Sequence, residues 1–133
     1  VKKHTISINY QFKSKNMKAI EVISIPVTDQ QAAKEFYQKI GFQLITEADM
    51  GNGSTWVQLG IPGQVTSITL VNWFKNMTPG SMQGLVVKTE DIEKEVAELK
   101  AKGVDVKDID PTPWGRFASF SDPDGNGLTL HQE

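Results

Sequence analysis

The 133-residue sequence contains no cysteine. That absence excludes a disulfide framework, Cys-ligated zinc, iron–sulfur clusters and thiol catalysis. Histidine occurs only at His4 and His131, so a single chain cannot assemble a three-histidine metal site. Arginine occurs once, at Arg116, among 14 basic residues. No apolar run approaches the roughly 20 residues of a membrane span. The formal net charge of −2 supplies no basic field for nucleic acid. Phosphate-binding glycine loops and nucleophile elbows are also missing. What is present, 38% hydrophobic and 23% charged residues, describes a folded domain. We expect it in the cytoplasm, with neither nucleic acid nor membrane as partner.

Charge is unevenly spread. Residues 1–16 carry Lys2, Lys3, Lys13 and Lys15 and no acid, which leaves 10 basic and 16 acidic groups for the rest, a charge of −6. A basic start can open a signal peptide, but the apolar core of about 7–15 residues does not follow. Instead Ile6, Ile8, Tyr10 and Phe12 alternate with polar residues. We read 1–16 as an N-terminal extension, mobile or loosely docked, and 17–133 as a single domain.

Within that domain the pattern repeats. Over 19–27, Ile23, Ile25 and Val27 alternate against Val22, Ser24 and Pro26, as in a strand with one buried face. Thr28 and Gln31 read as a capping box for a helix that ends at Gly41. Strands are predicted at 42–47, 55–59 and 65–73, and a linker at 76–81. A second strand–helix–strands unit follows: 83–88, a helix over 90–102 with Ile92, Val96 and Leu99 inward, then 104–109, 116–121 and 128–132. A 62-residue shift carries Asp29 onto Asp91, Gly41 onto Gly103, and Ile23 and Ile25 onto Leu85 and Val87. A 60-residue shift carries Ile68-Thr69-Leu70 onto Leu128-Thr129-Leu130. The chain therefore reads as two βαβββ modules, about 17–75 and 82–133.

The phrase Ile25-Pro26-Val27-Thr28-Asp29, followed by Phe36-Tyr37-Gln38-Lys39-Ile40-Gly41-Phe42, resembles the opening module of the vicinal oxygen chelate superfamily. That group includes glyoxalase I, extradiol dioxygenases and the bleomycin- and fosfomycin-resistance proteins. Trp114-Gly115-Arg116 and Phe120-Ser121-Asp122-Pro123-Asp124-Gly125-Asn126 look like its closing β-hairpin. The resemblance spans 17–132 and implies an α+β fold: two βαβββ modules forming a cupped, incomplete mixed β-barrel, helices on the convex side. It also implies a homodimer, for which Trp73, Phe74, Met77 and Met82 are interface candidates.

Metal-dependent relatives hold a divalent ion on the concave face through the first and last strands of each module. The resemblance places those ligands at Val22, Thr69, Gly84 and Thr129. None offers imidazole, carboxylate or thiolate, so neither metal nor cofactor is expected. A one-residue slip would present Glu21 and Gln83 instead, but would turn Ile23, Ile25, Leu85 and Val87 into the cup.

The residues left to line the cup are Trp56, Gln58, Thr69, Trp73, Trp114, Arg116, Thr129 and His131. An aromatic pocket with a few polar handles suits a small aromatic or amphipathic ligand, and Arg116 could fork onto an anion. The same residues also have a bland reading, with the aromatics as core or interface and Arg116 salt-bridged to Asp108, Asp110 or Asp122. Three functions stay open: a metal-independent binding protein; a glyoxalase-like lyase or isomerase, or dioxygenase-related enzyme, with a relocated or metal-independent site using Arg116 and His131; and a partner-binding module.

Overall fold

The computed structural model describes residues 16–133, so the extension's predicted features, His4 among them, lie outside the described residues. The first module runs β1 (Val22–Pro26), α1 (Gln30–Lys39), β2 (Gln43–Gly51), β3 (Ser54–Gly60) and β4 (Ser67–Val71). The second runs β5 (Leu85–Lys88), α2 (Ile92–Ala101), β6 (Asp110–Thr112), β7 (Gly115–Ser121) and β8 (Gly127–Gln132). Each module makes one mixed four-stranded sheet, in the orders β1-β4-β3-β2 and β5-β8-β7-β6. In both, the first strand pairs parallel to the last, and the other pairs are antiparallel. No ladder joins the two sheets among the described residues, and no barrel closes. The α+β architecture of two cupped βαβββ modules is therefore present. No described helix is long and apolar enough to cross a membrane.

The repeat read from spacing is structural. Asp29 and Asp91, 62 apart, are the N-caps of α1 and α2, Asp29 accepting two backbone N–H groups of the first turn and Asp91 one. Ile25 pairs with Leu70 in β4, and Val87 with Leu130 in β8. Thr28, expected as the first cap, does not serve. Its N–H donates across the modules to the Asp124 carboxylate at 3.2 Å, and the Gln31 amide reaches Glu47 rather than closing a capping box. Aspartate one position later accepts from both Gln31 and Ala32, leaving Thr28 outside the helix.

Strand parity places Ile25, Val27, Leu59, Ile68 and Leu70 of the first sheet in the core, with Ala118, Phe120, Leu128 and Leu130 of the second. The helix-covered sides of both sheets thus share one core. Phe36 of α1 packs against Phe120 of β7, ring centroids 6.5 Å apart. The expected strand at 104–109 is not one. Val104 and Val106 are buried, but the stretch makes a single backbone bond to β7, Lys107 N–H to Ser119 C=O at 2.9 Å. Burial gives it the alternation of a strand without the ladder, and pairing resumes in the short β6.

A buried polar cluster joins the modules. The Tyr37 hydroxyl donates to Asp122 Oδ2 (2.9 Å), and Asn126 Nδ2 donates to the same oxygen and to the Pro26 carbonyl (both 2.8 Å). Burial and the neighbouring Asp122 carboxylate push the Tyr37 phenol far above its ordinary pKa.

Candidate ligand-binding site

Side chains that do not enter the core emerge on the opposite face of each sheet, because successive residues of a strand alternate sides; on the first sheet that face is largely covered, with Pro26, Ser67, Thr69 and Val71 buried and Val22, Ser24, Trp56 and Gln58 half-buried. On the first sheet this face carries Val22, Ser24 and Pro26 of β1, Trp56 and Gln58 of β3, and Ser67, Thr69 and Val71 of β4. Their register sets Gln58 opposite Thr69 and Thr69 opposite Ser24. Its polar atoms serve one another. Trp56 Nε1 donates to Gln58 Oε1 (3.0 Å), Gln58 Nε2 to Ser67 Oγ (2.8 Å), and Ser67 Oγ to the Glu21 carbonyl (3.0 Å). Thr69 Oγ1 donates to the Val57 carbonyl at 3.1 Å.

The open face of the second sheet carries Phe117, Ser119 and Ser121 of β7 beside His131, Thr129 and Gly127 of β8. The His131 ring stacks on Phe117, centroids 4.5 Å apart, and its Nε2 lies 2.9 Å from the Trp114 carbonyl. That contact makes Nε2 the protonated nitrogen, since a carbonyl only accepts. Ser119 and Thr129 hydroxyls meet at 3.0 Å. At the far end lies a hollow of about 280 Å³, lined in part by Asp105, Lys107, Ser121 and Thr129. Trp114 (74% exposed) and Val86 (53%) stand open to solvent.

The predicted residues therefore divide. Trp56, Gln58 and Thr69 sit together on one sheet, and Thr129, His131 and Trp114 on the other. Trp73 follows β4 and lies against Phe74, rings 5.8 Å apart. Met82, an interface candidate, is partly buried and packs against the core. Arg116 is not with His131. It pairs with Gln132 across the ladder and so projects from the helix-covered side, one parity away. None of the three acids expected as partners meets it. Arg116 Nη1 pairs with Glu93 (3.1 Å) and Nη2 donates to Gln132 Oε1 (3.0 Å), which also accepts the Ile92 N–H at the start of α2 (2.8 Å). The ion pair is solvent-screened and contributes little. Arg116→Ala should accordingly cost about 1 kcal/mol in a urea titration, through the fixed Gln132 cap, and leave ligand affinity unchanged. A tenfold loss of affinity would return Arg116 to the ligand.

Sequence reading passed over Phe117, Ser119 and Ser121. They alternate with buried Ala118 and Phe120, so the period of two already marked them as one face. A larger hollow, about 520 Å³, lies elsewhere, between the modules, against Ile23, Phe42 and Ile68 on the packing side of the first sheet. It contains none of the predicted ligand residues.

The four positions where the resemblance puts metal ligands are on these faces, and their chemistry does not fit an ion. Val22 and Gly84 have no donor atom, and the Thr69 and Thr129 hydroxyls are engaged with Val57 and Ser119. Among the described residues, no three of His, Cys, Asp and Glu converge to hold a metal.

Residues 19–130 match the sequence profile of the Glyoxalase/Bleomycin resistance protein/Dioxygenase superfamily. The chain is 33% identical over 121 residues to the protein YetH of Bacillus subtilis (strain 168), covering 87% of this chain and 99% of that one. Among solved structures it is similar to TnmS3, an antibiotic binding protein from Streptomyces sp. CB03234. The two share 43% identity and a TM-score of 0.83, over 87% of this chain and 96% of that one. A superfamily member from Sphaerobacter thermophilus DSM 20745 gives 30% identity and a TM-score of 0.82, over 88% and 98%.

Proposed function

The chain belongs to the Glyoxalase/Bleomycin resistance protein/Dioxygenase superfamily, and from that premise we propose that it binds a small aromatic or amphipathic molecule without a metal ion. The observation that carries this reading is what occupies the ligand positions: valine, glycine and engaged threonines, beside the Trp56 indole on one sheet and the Phe117–His131 stack on the other. Such surfaces hold flat molecules by stacking and dispersion. The likeness to an antibiotic binding protein at 43% identity supports sequestration over turnover. The enzymatic alternative that pairs Arg116 with His131 is disfavoured, because their side chains leave opposite faces of adjacent strands.

The proposal includes a homodimer. The two faces are half-sites on separate sheets. A second copy could lay its first-sheet face over this chain's second-sheet face and cover exposed Trp114 and Val86. Light scattering should then give twice 14.7 kDa at micromolar concentration, and a monomer mass would overturn this part.

A thermal-shift screen of planar aromatic antibiotics (anthracyclines, tetracyclines and quinolones) tests the binding. At least one should raise the unfolding temperature, and Trp56→Ala should weaken it about tenfold or more in calorimetry. No stabilising compound, or an unchanged affinity in Trp56→Ala, defeats the reading. Micromolar Zn²⁺ or Ni²⁺ binding that His131→Ala abolishes would defeat its metal-free part.

A further inference from the structure

Resting on the binding reading above, we infer that the ligand is two-sided: a flat apolar ring system bearing hydroxyl groups along one edge, as in an aromatic glycoside. The inference comes from hydrogen-bond accounting on the two faces, which differ in how much polar capacity they leave unpartnered.

On the first sheet the inventory is nearly closed, the Ser24 hydroxyl alone among the side chains named on that face having no partner among the described residues. The Trp56 N–H, the Gln58 carbonyl and one of its N–H bonds, and the Ser67 and Thr69 hydroxyl protons all have partners within the protein. A ligand that competed for them would have to break an existing bond, for little net gain. What this face offers instead is a narrow apolar strip, the half-buried Trp56 ring and Val22 side chain, since Pro26 and Val71 are buried.

The second sheet is open in that sense. Asp105 and Lys107 flank its hollow on the extended stretch before β6, and neither side chain has a hydrogen-bond or ion-pair partner among the described residues. Ser121, at the end of the same hydroxyl row, is likewise unpartnered. Ser119 and Thr129 bond only one another, leaving acceptor lone pairs on both. A carboxylate acceptor, an ammonium donor and three hydroxyls around one hollow of about 280 Å³ match a polyol. They do not match a simple anion, which the Asp105 carboxylate would repel, nor a simple cation, which Lys107 would. At its other end the same face turns aromatic, through Phe117, His131 and Trp114. Four residue steps along β7 separate Phe117 from Ser121, about 13 Å of strand, enough for a ring system with one sugar.

A matched pair of probes tests this: 4-methylumbelliferone and its β-glucoside, titrated calorimetrically into the full chain. The glucoside should bind about tenfold more tightly, the value of one or two net hydrogen bonds. Asp105→Asn combined with Ser121→Ala should remove that preference and leave the affinity for 4-methylumbelliferone within twofold. These positions are exposed, so the variant should fold, which an unchanged unfolding temperature verifies. Equal binding of the two probes overturns the inference and leaves the binding reading standing. A glucoside preference that survives the double substitution overturns the assignment to this hollow. Failure of both probes to bind overturns the inference, and the antibiotic screen then decides the broader reading separately.

Discussion

Asp122→Ala is expected to remove about 3–5 kcal/mol of folding stability. The carboxylate is buried and accepts four hydrogen bonds. Oδ1 takes the Asp124 and Asn126 N–H groups (both 2.9 Å), and Oδ2 takes the Tyr37 hydroxyl (2.9 Å) and Asn126 Nδ2 (2.8 Å). Alanine would leave the buried Tyr37 O–H and Asn126 N–H and the half-buried Asp124 N–H without partners, while Asn126 Nδ2 keeps only the Pro26 carbonyl. Orphaned buried donors carry their full desolvation penalty, which is why the loss exceeds that of one ordinary hydrogen bond. Urea unfolding should show a lower midpoint at unchanged slope. Tyr37→Phe removes a single donor and should cost about 1 kcal/mol.

The same tyrosine ties stability to alkaline pH. Its phenol is raised in the folded state, so its contribution is complete below the unfolded value of about 10 and declines as pH climbs past it. Part of the high-pH loss of stability should therefore vanish in Tyr37→Phe. An Asp122→Ala protein within 1 kcal/mol of the parent would show that this cluster does not hold the modules together.

Gly80→Ala should be nearly as damaging, at about 2–4 kcal/mol. Gly80 lies in the linker at φ +85°, and an added Cβ would overlap the backbone carbonyl of Asp124. That carbonyl belongs to the turn whose Asp124 side chain receives the Thr28 N–H, while Gly80 N–H itself reaches the Pro26 carbonyl at 3.3 Å. Linker, first strand and closing turn therefore meet where no side chain fits, and the obstacle is backbone that cannot swing aside. Gly63→Ala supplies the control. At φ +83° with nothing within 4 Å of its Cβ, it should cost about 1 kcal/mol, the left-handed conformation alone. Equal losses in the two variants would refute the steric part of the argument.

Local chemistry was legible in the chain itself. The 62-residue spacing of Asp29 and Asp91 anticipated two equivalent helix starts, and the alternation about Ile23 and Ile25 anticipated which side of β1 enters the core. Both depend on neighbours a few residues away, where periods of 2 and 3.6 carry the information. Parity reaches no further than its own sheet. It could turn Thr69 and Thr129 away from the core but not show that their faces belong to separate sheets sharing a core on their other sides. Arg116 shows a related limit. Its residue type advertised an anion site, but one position in the β7–β8 register turned it to Glu93 and Gln132 at the start of α2. The contacts that set one module against the other, Tyr37 to Asp122 and Asn126 to Pro26, span 85 and 100 residues. No local period encodes such contacts, so only the folded chain could decide them.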